Sequence, residues 1–251
     1  GAAMQTVWET AVVATDRIPL ISEGIEFDYT DKLHDYLQGK AGMPGATLAF
    51  KGATGTIESE VVYSQLTSAE FVSSDLLIAC GMGVIEGTTE QQLTFQDDLV
   101  RYFTIAWDKD VHTTKPWEAL GCMVNSFTLS CDEKESLKLS TDLTIGELRI
   151  TGGVNAVSDL DSLPQDDANP VLLRDFLFRI NAHTAGEPAA ADDTGISGFS
   201  ITVNNNLSSQ EQATKDTDNA FAGFTHADPY LAMQPSRNGF REVILDRKST
   251  R

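Results

Sequence analysis

The chain has 251 residues, with 37 acidic against 18 basic side chains and a formal net charge of −19. That balance argues against ordinary DNA binding, where affinity comes from Lys and Arg displacing condensed counterions, and no apolar run approaches the ~20 residues that cross a bilayer as a helix. Three cysteines, Cys80, Cys122 and Cys131, have no CxxC spacing. They predict neither a disulfide framework nor a structural zinc site, and read as small buried hydrophobes in a reducing compartment.

Residues 1–8 lack a basic region followed by an apolar stretch, so no secretory signal is expected, and residues 1–20, from Trp8 onward, show no clean period. With Pro19 near their end they read as an extended arm, since proline interrupts a central strand. Ile25, Phe27 and Tyr29 then alternate with Glu26, Asp28 and Thr30 as in a half-buried strand. Residues 31–45, with Gly39, Gly42, Pro44 and Gly45, predict a long loop. Strands are expected at 46–51 and 56–65. A helix is expected near 67–80: Thr67 and Glu70 form a capping box, Val72, Leu76 and Ala79 share a face, and Gly81 supplies a left-handed end. Further strands are predicted at 93–95, 101–107, 120–131, 136–151, 172–181, 195–205 and 240–245, and exposed loops at 155–170, 186–194 and 208–219. Many strands around one helix predict a mainly β protein: a sandwich or barrel-like fold with one flanking helix and long loops, occupying 21–251 as a single domain behind the arm.

One short pattern occurs twice. Phe127, Leu129 and Cys131 alternate with Ser126, Thr128 and Ser130, and Phe199, Ile201 and Val203 with Ser200, Thr202 and Asn204. Each strand presents an apolar face to a core and a face of hydroxyls and amides elsewhere. On one unbroken strand Cys122 and Cys131, an odd distance apart, would face opposite ways.

Reactive constellations are lacking. Gly81-Met82-Gly83 opens like a dinucleotide fingerprint, but Glu86 stands where the third glycine belongs. His34, His112, His183 and His226 have no ligand spacing. Asp97-Asp98, Asp108-Lys109-Asp110, Asp166-Asp167 and Asp192-Asp193 lack the spaced ligands of a calcium loop and read as solvated charge. No catalytic, cofactor-binding or metal-ligating residues are expected.

The order of the segments carries a resemblance. Trp8-Glu9-Thr10-Ala11-Val12 followed by Ile18-Pro19-Leu20-Ile21-Ser22-Glu23-Gly24-Ile25, then the helix ending in Gly81-Met82-Gly83, then Cys122-Met123-Val124-Asn125-Ser126-Phe127-Thr128-Leu129-Ser130, and finally Gly195-Ile196-Ser197-Gly198-Phe199-Ser200-Ile201-Thr202-Val203-Asn204-Asn205-Asn206-Leu207 resemble, in this order, the tail tube proteins of siphophage-type tailed phages. The resemblance implies a β-sandwich that assembles into hexameric rings, stacked into a hollow conduit for the genome. It implies a structural virion protein and not an enzyme, assembled in the bacterial host cytoplasm. Its partners would be itself and other tail proteins such as the tape measure, terminator and baseplate, with DNA passing through without specific binding and no membrane span. A negative wall would keep phosphate from sticking. The arm and the 31–45 loop would reach neighbouring subunits, making Trp8, Val12, Ile18, Leu33, Tyr36, Leu37 and Met43 the candidate inter-subunit contacts. Competing readings are an acidic β-sandwich that binds a glycan or protein, and another tail component such as a terminator or baseplate protein.

Overall fold

A computed structural model describes residues 1–6, 8, 10–33, 46–63, 74–86, 92–95, 101–110, 114–150, 153–163, 169–181, 188–208 and 235–249 of the chain. In chain order its elements are β1 (Ala2–Met4), β2 (Leu20–Glu23), β3 (Glu26–Leu33), β4 (Ala46–Glu60), β5 (Val62–Tyr63), α1 (Ser74–Met82), β6 (Gly83–Glu86), β7 (Gln92–Phe95), β8 (Phe103–Trp107), β9 (Trp117–Asp132), β10 (Lys138–Ile145), β11 (Glu147–Arg149), α2 (Val157–Asp161), β12 (Asn169–Pro170), β13 (Ile196–Asn204) and β14 (Glu242–Ser249). The fold is mainly β, as the alternating pattern predicted, with the principal sheet curled into a half-barrel. That sheet has ten strands, ordered β1-β8-β9-β10-β4-β2; β3 flanks β4 beyond β2, β11 joins β9, and β13 leaves β9 to carry β14 outside it.

Alternation decides which face is buried. Leu139, Thr141, Leu143 and Ile145 of β10 turn into the core with Phe127, Cys131, Phe199, Val203 and Ile57 of neighbouring strands, and α1 adds Leu77 and Ile78. The long strand β9 keeps this register with one adjustment. Asp142 pairs with Ser126 but Leu143 pairs with Val124, so Asn125 is an extra, bulged residue. The bulge changes the parity of the strand, and Cys122, Val124, Phe127 and Cys131 consequently all reach the same core.

Several predicted elements take a different form. The strands expected at 46–51 and 56–65 run together through Glu60 as one strand, β4, continuous from Ala46; Val62–Tyr63 form the separate β5, and 64–65 lie outside the described residues. Residues 31–33 are not loop but the end of β3, paired with Ala46 to Leu48; the rest of the predicted 31–45 loop lies outside the described residues. The helix is described from Ser74, so its predicted capping box lies outside as well. Gly81 is not a left-handed terminus: it sits within α1, where a Cβ would stand 2.6 Å from Cδ1 of Phe127, and its role is to let the helix approach β9. Residues 172–181 do not form a strand. They make a 3-10 turn, Leu173–Asp175, and two isolated bridges, from Leu172 to Ser136 and from Arg179 to Asp193. Phe176 and Phe178 pack on Phe199 at centroid distances of 5.2 and 6.0 Å, which satisfies the period-two pattern without a ladder. The predicted loop at 155–170 contains α2.

All three cysteines are free and buried, as expected. Burial pushes the Cys80 thiol up from its ordinary 9.0 to about 12, and Cys122 further in the same direction. A folded state that keeps these thiols protonated loses stability as pH rises above 9.0, where the unfolded chain begins to release the protons. At pH 8 a thiol reagent is therefore expected to label none of the three in the native protein and all three in guanidinium. Rapid native labelling of Cys80 or Cys122 would contradict this packing.

Candidate assembly surfaces

The reverse face of the sheet is assembled by the same alternation that builds the core. Across β13, β9, β10 and β4 the paired residues read Asn204, Ser126, Asp142 and Thr56 in one row, Thr202, Thr128, Ser140 and Glu58 in the next, and Ser200, Ser130, Lys138 and Glu60 in a third. β14 extends these rows with Glu242, Ile244 and Asp246. Thr128 and Thr202 share a hydrogen bond between hydroxyls at 3.0 Å, and Asn125 Nδ2 donates to Asp142 Oδ2 at 2.9 Å. Acids outnumber bases on this face: Glu58, Glu60, Asp142, Glu242 and Asp246 stand against Lys138 and Lys248.

One end of the face is covered by the N-terminal segment. Trp8 lies edge-on to Tyr102 at 5.6 Å, in a small cluster with Met123 and Leu207. Gly121, at φ +61°, makes room for the indole, which lies 3.0 Å from where its Cβ would be. The segment as a whole is tied to its own subunit. β1 pairs with β8, Gln5 Nε2 donates to Thr104 Oγ1 at 2.8 Å, and the N–H of Gly121 donates to Gln5 Oε1 at 3.2 Å. Farther along, the N–H of Ala14 donates to Asn155 Oδ1 at 2.8 Å and Asn155 Nδ2 donates to the Val12 carbonyl at 3.1 Å. Asn155 is held in turn by Glu118, fully buried, whose carboxylate accepts from the Asn155 backbone N–H and Nδ2 and from the Val154 N–H.

The edges of the sheet are bare among the described residues. β14 has β13 on one side only, and residues 242–248 are exposed on both faces. Its run Val243, Ile244, Leu245 is apolar on both faces, about half exposed at each residue. β2, at the other end, exposes Leu20 and Ile21 to a similar extent. Unpaired backbone donors and acceptors beside exposed aliphatic groups form a template for another strand. β14 is anchored at its base: Arg241 Nε donates to Asn205 Oδ1 at 2.7 Å, and Asn205 Nδ2 donates to the carbonyls of Gly81 and Val124 at 2.8 and 3.0 Å.

Of the predicted contact residues, Trp8 is buried within its own subunit at 5 % exposure, Val12 and Ile18 are half-buried, and Leu33 closes β3 opposite Ala46. Tyr36, Leu37 and Met43 lie outside the described residues, as do the four histidines. Sequence reasoning missed Val243, Ile244 and Leu245 as an exposed apolar strip, although three consecutive apolar residues in one strand place an apolar side chain on each of its faces. It also missed Glu118, Asn155 and Asn205, which carry no local signature. Among the described residues no group of three or more His, Cys, Asp or Glu side chains is placed to hold a metal ion, and no helix is long and apolar enough to cross a membrane.

A curled antiparallel sheet with one polar face, its β14 and β2 edges bare among the described residues, places the chain among mainly β proteins. A family model described as phage tail tube protein matches residues 6–238, and the chain belongs to that family. It is thus a structural component of the virion tail, a class that assembles with itself and with other tail proteins. No curated protein matches the chain at a significant level.

Proposed function

We propose that this chain is the subunit of a tail tube built from stacked hexameric rings, a hollow conduit for genome delivery assembled in the bacterial host cytoplasm, with the tape measure, terminator and baseplate as neighbours. The observation that supports ring closure is the direction of the strands. Across the sheet β14, β13, β9, β10, β4 and then β2 or β3 alternate without a break, six positions in all. Rotation about a tube axis preserves direction, so β14 of one subunit meets β2 or β3 of the next as an antiparallel neighbour, and the sheet continues around the ring with no edge left over. The hydroxyl and carboxylate face then lines the lumen. Its excess of acids over bases repels phosphate, and the uncharged Ser and Thr rows offer nothing for a duplex to bind ionically. Val12 and Ile18 of the arm, together with Leu33, Tyr36, Leu37 and Met43, belong to the contacts between subunits, while Trp8 serves by fixing the arm in place.

A subunit with a formal charge of −19 assembles against its own repulsion, which salt screens over about 10 Å at 0.1 M. Concentrated protein examined by negative-stain microscopy is expected to form rings or tubes, increasingly so as ionic strength rises. Globular monomers at every concentration, salt and pH tested would overturn the reading.

A further inference from the structure

The apolar rows on the core side of the sheet run off both of its ends. Val243 leads through Val203, Phe127, Thr141 and Ile57 to Glu23, and Leu245 leads through Ile201, Leu129, Leu139 and Ser59 to Leu20. At the first end the rows stop on two side chains that are each 50 % exposed. At the second they stop at a cavity of about 30 Å³ lined chiefly by Ile18, Leu20, Ile25, Ile57, Ile105 and Trp107. Glu23 and Gly1 also border it, but the Glu23 carboxylate is taken up by Lys109 Nζ at 2.6 Å and by the N–H of Ile25 at 3.1 Å, and the Gly1 ammonium donates to the Ala106 carbonyl at 2.8 Å. A water held there would need two to four polar partners. An aliphatic occupant needs none.

We infer that Val243 and Leu245 of one subunit pack over the cavity at the β2 edge of its neighbour, so that each subunit covers the hydrophobic core of the next. The inference rests on the ring reading and specifies its seam. Three independent features meet in it. Both surfaces lie on the core side of the sheet, at the same paired rows. The strands carrying them run in opposite directions, as a shared ladder requires. The chemistry matches, since half-exposed branched aliphatic groups meet an aliphatic and aromatic socket. One wall of that socket is Ile18, so the N-terminal segment acts by shaping the receptor for a neighbour's strand.

Ile244, on the same strand and 52 % exposed but on the opposite face, provides the control. Leu245→Ser and Ile244→Ser are both solvent-exposed changes in the free subunit and are expected to leave its melting temperature in place. Leu245→Ser is expected to raise the critical concentration for assembly about tenfold or more, from the loss of one buried aliphatic group per seam, and Ile244→Ser about twofold at most. In a chain carrying both Leu20→Cys and Leu245→Cys, oxidation of assembled protein is expected to give a disulfide ladder extending to six subunits. Rings that form with equal sensitivity to the two serine changes, or that give no ladder, would overturn the seam and leave the ring reading intact. Dimers crosslinked in the single Leu245→Cys variant would overturn it in favour of a two-fold pairing of β14 with itself. Failure of the unaltered protein to assemble would bring down the ring reading and the seam with it.

Discussion

Replacement of Glu118 by alanine is expected to cost about 3–5 kcal/mol of folding stability, because each buried donor left without an acceptor costs about 1–3 kcal/mol. Glu118 is fully buried, and its carboxylate accepts three hydrogen bonds: from Asn155 Nδ2 at 2.6 Å, from the Asn155 N–H at 3.0 Å and from the Val154 N–H at 3.3 Å. Asn155 passes that constraint to the N-terminal segment through Ala14 and Val12. The loss is thus expected to have a location as well as a size. In guanidinium titrations the midpoint falls, and in hydrogen exchange the amide of Ala14 and those of Ala2–Met4 lose protection before the core of β9 does. Set against typical stabilities of about 5–15 kcal/mol, the variant stands near the limit of folding. Glu118→Gln keeps the volume and one acceptor oxygen, and falls between the two. An alanine variant as stable as the parent, with the arm still protected, would mean that the carboxylate does not hold the arm.

Asn205→Ala is expected to cost about 2–4 kcal/mol, on the same accounting of stranded buried groups, and to act at a distance on assembly. The Asn205 amide is a junction between three elements: it donates to Gly81 at the end of α1 and to Val124 beside the bulge of β9, and accepts from Arg241, which leads into β14. Its own N–H donates to the Asn125 carbonyl at 2.8 Å and survives the substitution. Removing the side chain frees the base of β14, whose only ladder among the described residues is with β13. Tm is expected to fall, and the concentration needed for assembly to rise by more than the stability loss alone explains once measured well below Tm. A variant with lowered Tm but unchanged assembly would separate the junction from the edge strand.

Periodicity made the strands legible and left the junctions obscure. Leu137 to Ile145 alternate so regularly that β10 and its buried face follow from the order of residues alone, and the same holds for Phe199, Ile201 and Val203. Residues 172–181 carry an equally regular aromatic spacing, yet Phe176 and Phe178 find their partner in Phe199 without ladder bonds, because period two reports which way side chains point and not what the backbone pairs with. The run Gly52-Ala53-Thr54-Gly55 divides β4 in the sequence pattern, because its glycines ordinarily mark a turn. Paired with β10 at Ala53 to Gly55 on one side and with β3 at Gly52 to Thr54 on the other, that backbone stays extended. Gly81 raised the converse problem. A glycine near a helix end has two uses, φ freedom and absence of a Cβ, and only the position of Phe127 tells them apart. The bulge at Asn125 and the burial of Glu118 depend on partners that are remote in the chain: Leu143 and Asp142 for the first, Asn155 for the second. No window along the sequence contains both members of those pairs.

The unbroken alternation of strand directions limits how such a wall can change. A subunit contributing an odd number of strands would bring two like-directed edges together at every junction, replacing the antiparallel ladder there with a parallel one. A tube of this design therefore widens or narrows by whole hairpins. An insertion that adds one strand has to add its return strand as well, whereas a change in the number of subunits leaves the ladder unbroken. In a wall closed as proposed, the caliber would be quantised twice over, once by the hairpin and once by the copy.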